Sequence, residues 1–191
     1  MHTSHHYSRR SFLATCAAGC VVASTSGCSG ASATDRQLVF ATLADALRQL
    51  DNVRTATPFD PAATWSWSKT LLHCAQSIEY SMSGYPQSRS ALFQHTAGAV
   101  AFSYFKSRGR MSHNLLEAIP GAASLDANAA STVAVAALRK AIDAFDKHGG
   151  ALHPHFAYGV LSKVEYEQAH AMHIANHMSV FDLHITAPHS S

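Results

Sequence analysis

Histidine is the residue this chain uses most unusually. There are 14 among 191 residues, and 11 of them lie after position 33. Several fall in one run, Tyr166-Glu-Gln-Ala-His170-Ala-Met-His173-Ile-Ala-Asn-His177. At about 100° per residue, Tyr166, His170, His173, His177, Phe181 and His184 share a stripe roughly 80° wide on a helix. His173 and His177 are spaced i, i+4, which puts their Cβ atoms about 5–6 Å apart and lets both imidazoles reach one cation. His170, one turn earlier, is placed as a ligand or as a group that supports one. A His-rich solvated or interface face accounts for the pair alone about as well. A catalytic metal usually takes three protein ligands and keeps one open position. The third ligand must then come from another helix, and His73 in Lys69-Thr-Leu-Leu-His73-Cys-Ala-Gln76-Ser-Ile-Glu-Tyr80 is the candidate. It lies off that segment's apolar face beside Gln76 and Tyr80. This suits a groove at a bundle margin and plain surface exposure equally. Gln76, Tyr80 and His170 are the candidate supporting or substrate groups.

The elements that would carry these residues read as helices. Leu, Val and Ala recur at three- and four-residue spacing over 35–53, with Val39, Leu43, Ala46, Leu47 and Leu50 on one face. Residues 55–63 hold Pro58 and Pro61 and read as a loop. A second helix covers about 65–83 and stops at Gly84-Tyr85-Pro86. A third covers about 89–107, burying Phe93, Ala97, Val100, Ala101 and Tyr104. A long connection follows over 107–128. The fourth helix, about 130–147, presents Ala134, Leu138, Ala141, Ile142 and Phe145, and Gly149-Gly150 ends it. Ser162 and Glu165 form a capping-box pattern for a last helix running to about His184. No run alternates with period two, so no sheet is expected. The fold class is all-α, four long helices forming a bundle plus a short accessory one.

The first 33 residues read as a leader. Ser8-Arg9-Arg10-Ser11-Phe12-Leu13 resembles the twin-arginine export consensus, and a short apolar stretch follows, too short to anchor in a bilayer. Ala31-Ser32-Ala33 suits signal-peptidase cleavage before Thr34. Thr25-Ser26-Gly27-Cys28 resembles a lipobox and offers lipidation at Cys28 as the weaker alternative. The domain is then residues 34–191, exported to the periplasm by the twin-arginine machinery. Arg9 and Arg10 account for the excess of Lys plus Arg, 14, over Asp plus Glu, 12. The balanced remainder gives no electrostatic case for nucleic acid. Cys74 is the sole cysteine after the leader, which excludes an intramolecular disulfide there, and it is expected as a small core residue.

Three separated motifs carry a family resemblance. Trp65-Ser-Trp-Ser-Lys-Thr-Leu-Leu-His73, then His153-Pro154, then His173-x-x-x-His177 resemble, in that order, signatures of the DinB-like superfamily of metal-binding four-helix bundles. The nearest likeness is to one of its branches of unknown function. It spans most of residues 35–185. The resemblance implies an up-down-down-up bundle with a divalent metal on His73, His173 and His177, and some such relatives are thiol transferases. Val180 replaces a Gln often found after the last motif, and His155-Phe-Ala-Tyr158-Gly159 loosens the aromatic-Gly pattern after His-Pro. Three neutral imidazoles plus water suit zinc or nickel. The functional expectation is an exported metal-binding bundle acting as a transferase or hydrolase on a small molecule, with thiols among the candidate substrates. A non-catalytic metal- or ligand-binding protein is the alternative, and a homodimer is a possible state. His153 and His155 are candidates for the mouth of the site. Trp65 and Trp67 are expected to pack rather than stack on a ligand, and Arg108 and Arg110 to lie in a solvated loop.

Overall fold

The computed structural model describes residues 35–185. The leader, with the Arg9-Arg10 motif and the alternative processing sites at Ala33 and Cys28, lies outside the described residues. The described chain is mostly helical, with five helices and one small sheet. In chain order these are α1 (Leu43–Asn52), β1 (Val53–Pro58), α2 (Trp67–Ser83), α3 (residues 91–108), α4 (Ser131–Lys147), α5 (Lys163–Met178) and β2 (Phe181–Ile185). No helix among the described residues is long and apolar enough to cross a membrane.

The core forms where α2 lies along α4, with α5 and α1 packed beside them. Leu71, Cys74 and Ile78 of α2, Leu138 and Ala141 of α4, and Ile174 and Met178 of α5 are buried there. The face expected of α4 (Ala134, Leu138, Ala141, Ile142, Phe145) is the buried one. Cys74 is a fully enclosed core residue, and burial pushes its thiol well above the ordinary range.

Four expectations are corrected. Residues 35–42 are not helical. The first helix begins after Thr42, whose side chain accepts from the Asp45 amide, while Asp45 Oδ2 accepts from the Thr42 amide at 2.8 Å and the Ala41 amide at 2.9 Å. That capping box fixes the start and leaves Val39 exposed. In α3 the expected apolar face is also wrong. Gly98 and Phe102 are buried, whereas Phe93, Val100 and Tyr104 are exposed. A π-helical turn over Gln94–Gly98 interrupts the helix, and its extra residue rotates every later side chain away from a regular 3.6-residue register.

The last helix stops at Met178 rather than near His184, so Phe181 and His184 leave the expected stripe. Ser179 explains the stop. Its hydroxyl bonds the Ala175 carbonyl at 2.8 Å and accepts from the Leu38 amide at 2.8 Å, while its carbonyl accepts from the Arg36 amide at 2.7 Å. The extended segment before α1 thus occupies the groups that another helical turn would need. There is also a sheet where none was expected. β1 and β2 pair antiparallel, with Ala56 opposite Leu183 and Pro58 opposite Phe181. Phe181 and Leu183 are buried while Asp182 and His184 face outward, and Phe181 packs edge-on against Trp67 at 5.1 Å. The period-two pattern lasts too few residues to stand out in the sequence.

Candidate metal centre and pocket

His73 projects from the second turn of α2, whose start is capped by Ser66. His173 and His177 project from successive turns of α5, with ring centroids 4.7 Å apart. The two helices bring the His73 ring within 5.1 Å of His173 and 4.9 Å of His177. Trp65, just before α2, closes one side, edge-on to His73 at 5.0 Å and stacked on His177 at 6.3 Å. Its other contact is the Lys69 ammonium, 4.4 Å from the ring centroid. Trp65 therefore packs, as expected, but on the histidines themselves.

A fourth imidazole completes the group. His113, in the long connection between α3 and α4, lies 5.1 Å from His173 and 5.0 Å from His177, ring to ring. One nitrogen from each of His73, His113, His173 and His177 lies within 4.8 Å of all the others. This set can hold a metal ion. His113 Nε2 and His177 Nε2 are 3.2 Å apart. Nitrogens bound to one tetrahedral zinc at about 2.0–2.1 Å would stand roughly 3.4 Å from each other, so this edge already has the right length. His73 Nδ1 and His177 Nδ1 are buried without a hydrogen-bond partner in the described structure. The other His113 nitrogen, Nδ1, lies 3.0 Å from Asn176 Nδ2, which donates to it in this orientation. Turning the Asn176 amide over would put its oxygen there instead, accept the Nδ1 proton and leave Nε2 as the free lone pair that a metal needs.

The electrostatics favour the same form. Burial, then the neighbouring His113 and Lys69, pull His73 down to about 4. Burial and mutual repulsion hold His173 and His177 well below the usual histidine range, and burial lowers His113 as well. No carboxylate belongs to the cluster. Glu117 acts on His113 from nearby, and buried imidazole nitrogens without partners are costly.

The cluster faces a cavity of about 190 Å³. His73, His113 and His173 line one side, and His155, Phe156, Ala157 and Tyr158 line another. Phe93, Met111, Ile119 and Ala169 add apolar surface. Arg89 and Glu117 also line it, 3.6 Å apart and about half-exposed.

The remaining candidates fall in different places. His170 lines the cavity but stands outside the four-histidine group, stacked on Tyr166 at 5.4 Å and edge-on to Phe145 at 5.3 Å. Gln76 bonds the Ala123 carbonyl at 3.1 Å and so ties down the connection that carries His113. Tyr80 leans on Tyr85 at 5.8 Å and lines neither cavity nor cluster. His155 lines the cavity, whereas His153 is exposed and contributes its carbonyl to the Tyr166 hydroxyl at 2.6 Å. Arg108 bonds the Tyr104 hydroxyl and Arg110 bonds Gln37, both away from the cavity. His113 and Asn176 were not anticipated. The available signal for His113 was a histidine inside a connection of some twenty residues, a length more typical of functional loops than of simple links. Asn176 had none beyond its place beside His177.

No curated protein and no solved structure matches this chain. A family model does, over residues 32–183, a span that includes all four clustered histidines and the loop wall of the cavity. The chain thus belongs to the DUF1569 family of proteins of unknown function.

Proposed function

We propose that this protein binds one divalent transition metal, zinc or nickel, through His73, His113, His173 and His177, and that the adjoining cavity admits a small molecule to it. The observation that carries this reading is the convergence of four uncharged imidazoles, three of them on the wall of a cavity. A metal there would supply Lewis acidity and a lowered pKa for a bound water or thiol. The chain's own residues do the rest. His73, His113 and His173 would hold the metal on the cavity side and His177 behind it, and Asn176, with its amide turned over, would fix the His113 tautomer. Trp65 and the apolar cavity walls exclude water. The activity proposed is transfer or hydrolysis on a small molecule. The DinB-like up-down-down-up arrangement, twin-arginine export to the periplasm and a homodimeric state belong to the same proposal. Export of a folded protein suits a metal acquired before transport.

Four histidines rather than three favour a second reading, a closed non-catalytic metal site. One experiment separates the two. The chain is purified without a histidine tag, and its metal is measured alone and after loading with cobalt(II). About one equivalent is expected, lost in the His173→Ala and His177→Ala variants. Azide should change the visible spectrum of the cobalt form if a coordination position is open to the cavity. A spectrum unmoved by azide favours the closed site. A protein that retains no metal under any loading condition ends both readings.

A further inference from the structure

The loop wall of the cavity carries a polar group that the metal centre does not use. His155 is 8% exposed and lies in a tight turn closed by paired backbone bonds between His155 and Gly159. Its Nδ1 accepts from two backbone amides, Ala157 at 3.1 Å and Tyr158 at 3.2 Å. A backbone N–H only donates, so Nδ1 must be the unprotonated nitrogen and the ring proton sits on Nε2. The ring also lies flat on Tyr158, at 4.3 Å and 7°. With Nδ1 turned back into its own loop, Nε2 points away from it. Nε2 meets no hydrogen-bond partner among the described residues, and His155 lines the cavity. The N–H is thus a fixed donor with no partner among the described residues, free for water or a ligand. Burial, and then the nearby His170, pull this imidazole down to about 3, so it stays neutral at ordinary pH.

The rest of the cavity limits what can accept that bond. Its volume of about 190 Å³ is somewhat larger than the roughly 150 Å³ cavity that holds one benzene. Phe93, Met111, Ile119 and Ala169 supply apolar lining, while His170, whose Nε2 is buried without a partner, adds a second neutral imidazole. Arg89 and Glu117 are the charged side chains lining it, and they are partly exposed and paired with each other. Burying a charge deep in such a cavity would be heavily penalised, while an uncharged oxygen bonded to the His155 N–H would not.

We propose that His155 is a ligand-docking residue whose Nε2–H binds an uncharged carbonyl oxygen, and that the pocket's substrate class is a ring-sized, largely apolar amide, ester or ketone. This rests on the reading of the cavity as a ligand site, but not on a metal being bound.

The test uses benzamide and toluene as probes on the full chain, with and without zinc. Long-range proton–nitrogen spectra of the imidazoles should show His155 as the Nε2–H tautomer, and benzamide should move that signal. Benzamide should bind about tenfold tighter than toluene, the usual worth of one buried hydrogen bond, whether or not zinc is present. The His155→Phe variant, which keeps a ring against Tyr158, should abolish the preference. That variant strips an acceptor from two backbone amides, so the wild-type tautomer and the two-probe comparison stand as independent readouts. An Nδ1–H tautomer, a His155 signal unmoved by saturating benzamide, or equal affinity for the two probes would overturn the proposal. Benzamide binding to a protein that takes up no metal would leave it standing while removing the metal centre.

Discussion

The two walls of the cavity are held in place by different physics. The helix wall carries His73 and His173 on α2 and α5, with His177 behind them, and the backbone groups there are satisfied within the helices. Leu71, Ile78, Ile174 and Met178, all fully enclosed, surround those helices from the core side. The loop wall carries His113 and His155 on connections whose backbone groups no helix satisfies, anchored in the core only at points such as Met111, Ile119 and Tyr158. It is tied down by individual bonds across the chain: Gln76 to the Ala123 carbonyl, Gln94 to the Phe156 carbonyl at 3.1 Å, and the Tyr166 hydroxyl to the His153 carbonyl. Core packing over-determines the first wall, so only global unfolding should move it. Each tie of the second contributes on the order of 1 kcal/mol, so local changes should move it alone. The mutations below test whether the walls separate in this way.

The largest effect belongs to the helix wall's foundation. Leu138 is fully buried in the seam between α4 and α2, away from the cavity. Leu138→Ala should cost about 3 kcal/mol, measured by urea unfolding. The folded fraction should bind metal as the wild type does. A loss of metal affinity at low denaturant would show that the core and the cluster are not separable.

Gly98 probes the loop wall. A Cβ there would strike the Ala157 carbonyl oxygen, backbone against side chain, so the turn carrying His155 would have to shift. Gly98→Ala should cost about 2 kcal/mol as an overpacking change. It should disturb the His155 and Tyr158 resonances while leaving those of His173 and His177 in place. Equal disturbance of both sets would mean that the walls move as one.

What could be read beforehand follows the same division. α4 and the body of α2 were legible because a long apolar stripe repeats every three to four residues. His173 and His177 were legible because their spacing is itself a helical geometry. The face of α3 was not, because a π turn over Gln94–Gly98 breaks the repeat, and its one glycine looks no different from a glycine in a regular helix. Gly98 is buried for close packing on Ala157, which only the tertiary structure reveals. His113 reaches the cluster across more than sixty residues of sequence from His177, and no local pattern encodes that distance. β2 was absorbed into the preceding helix because Ser179 ends α5 through bonds to residues 36 and 38, at the other end of the described chain.

A smaller change separates the walls at their shared tie. Tyr166 sits on α5 and its hydroxyl holds the His153 carbonyl and bonds the Tyr85 hydroxyl, so Tyr166→Phe removes both ties without opening a cavity. The expected cost is about 1.5 kcal/mol, since a part-buried carbonyl loses its partner. Hydrogen exchange should quicken at the backbone amides of residues 155–159 more than in α5. Uniform acceleration across α5 would place the tie in the core rather than in the loop.

The smallest effect is at the rim, where Glu165 caps α5 and touches α3. Its carboxylate bonds the Lys106 ammonium at 2.9 Å and accepts from the Ser162 amide at 3.1 Å. The Lys106 bond first, then the Ser162 backbone and side-chain bonds, lower it from an ordinary 4.5 to about 2. A carboxyl whose folded pKa lies below its unfolded one stabilises the fold above the unfolded value, and the benefit disappears as pH falls toward the folded value. The side chain is about one-third exposed, at 33%, so solvent screening reduces the effect. Glu165→Gln should therefore cost about 1 kcal/mol at pH 7. The gap between variant and wild type should close progressively as pH falls from about 4.5 toward 2. Urea unfolding at pH 7, 4 and 2.5 measures it. A gap that stays constant across that range would mean that the Ser162 cap depends on the shape of the side chain and not on its charge, because Gln can still accept the Ser162 amide. The charge-dependent link between α5 and α3 through Lys106 would then contribute nothing to stability.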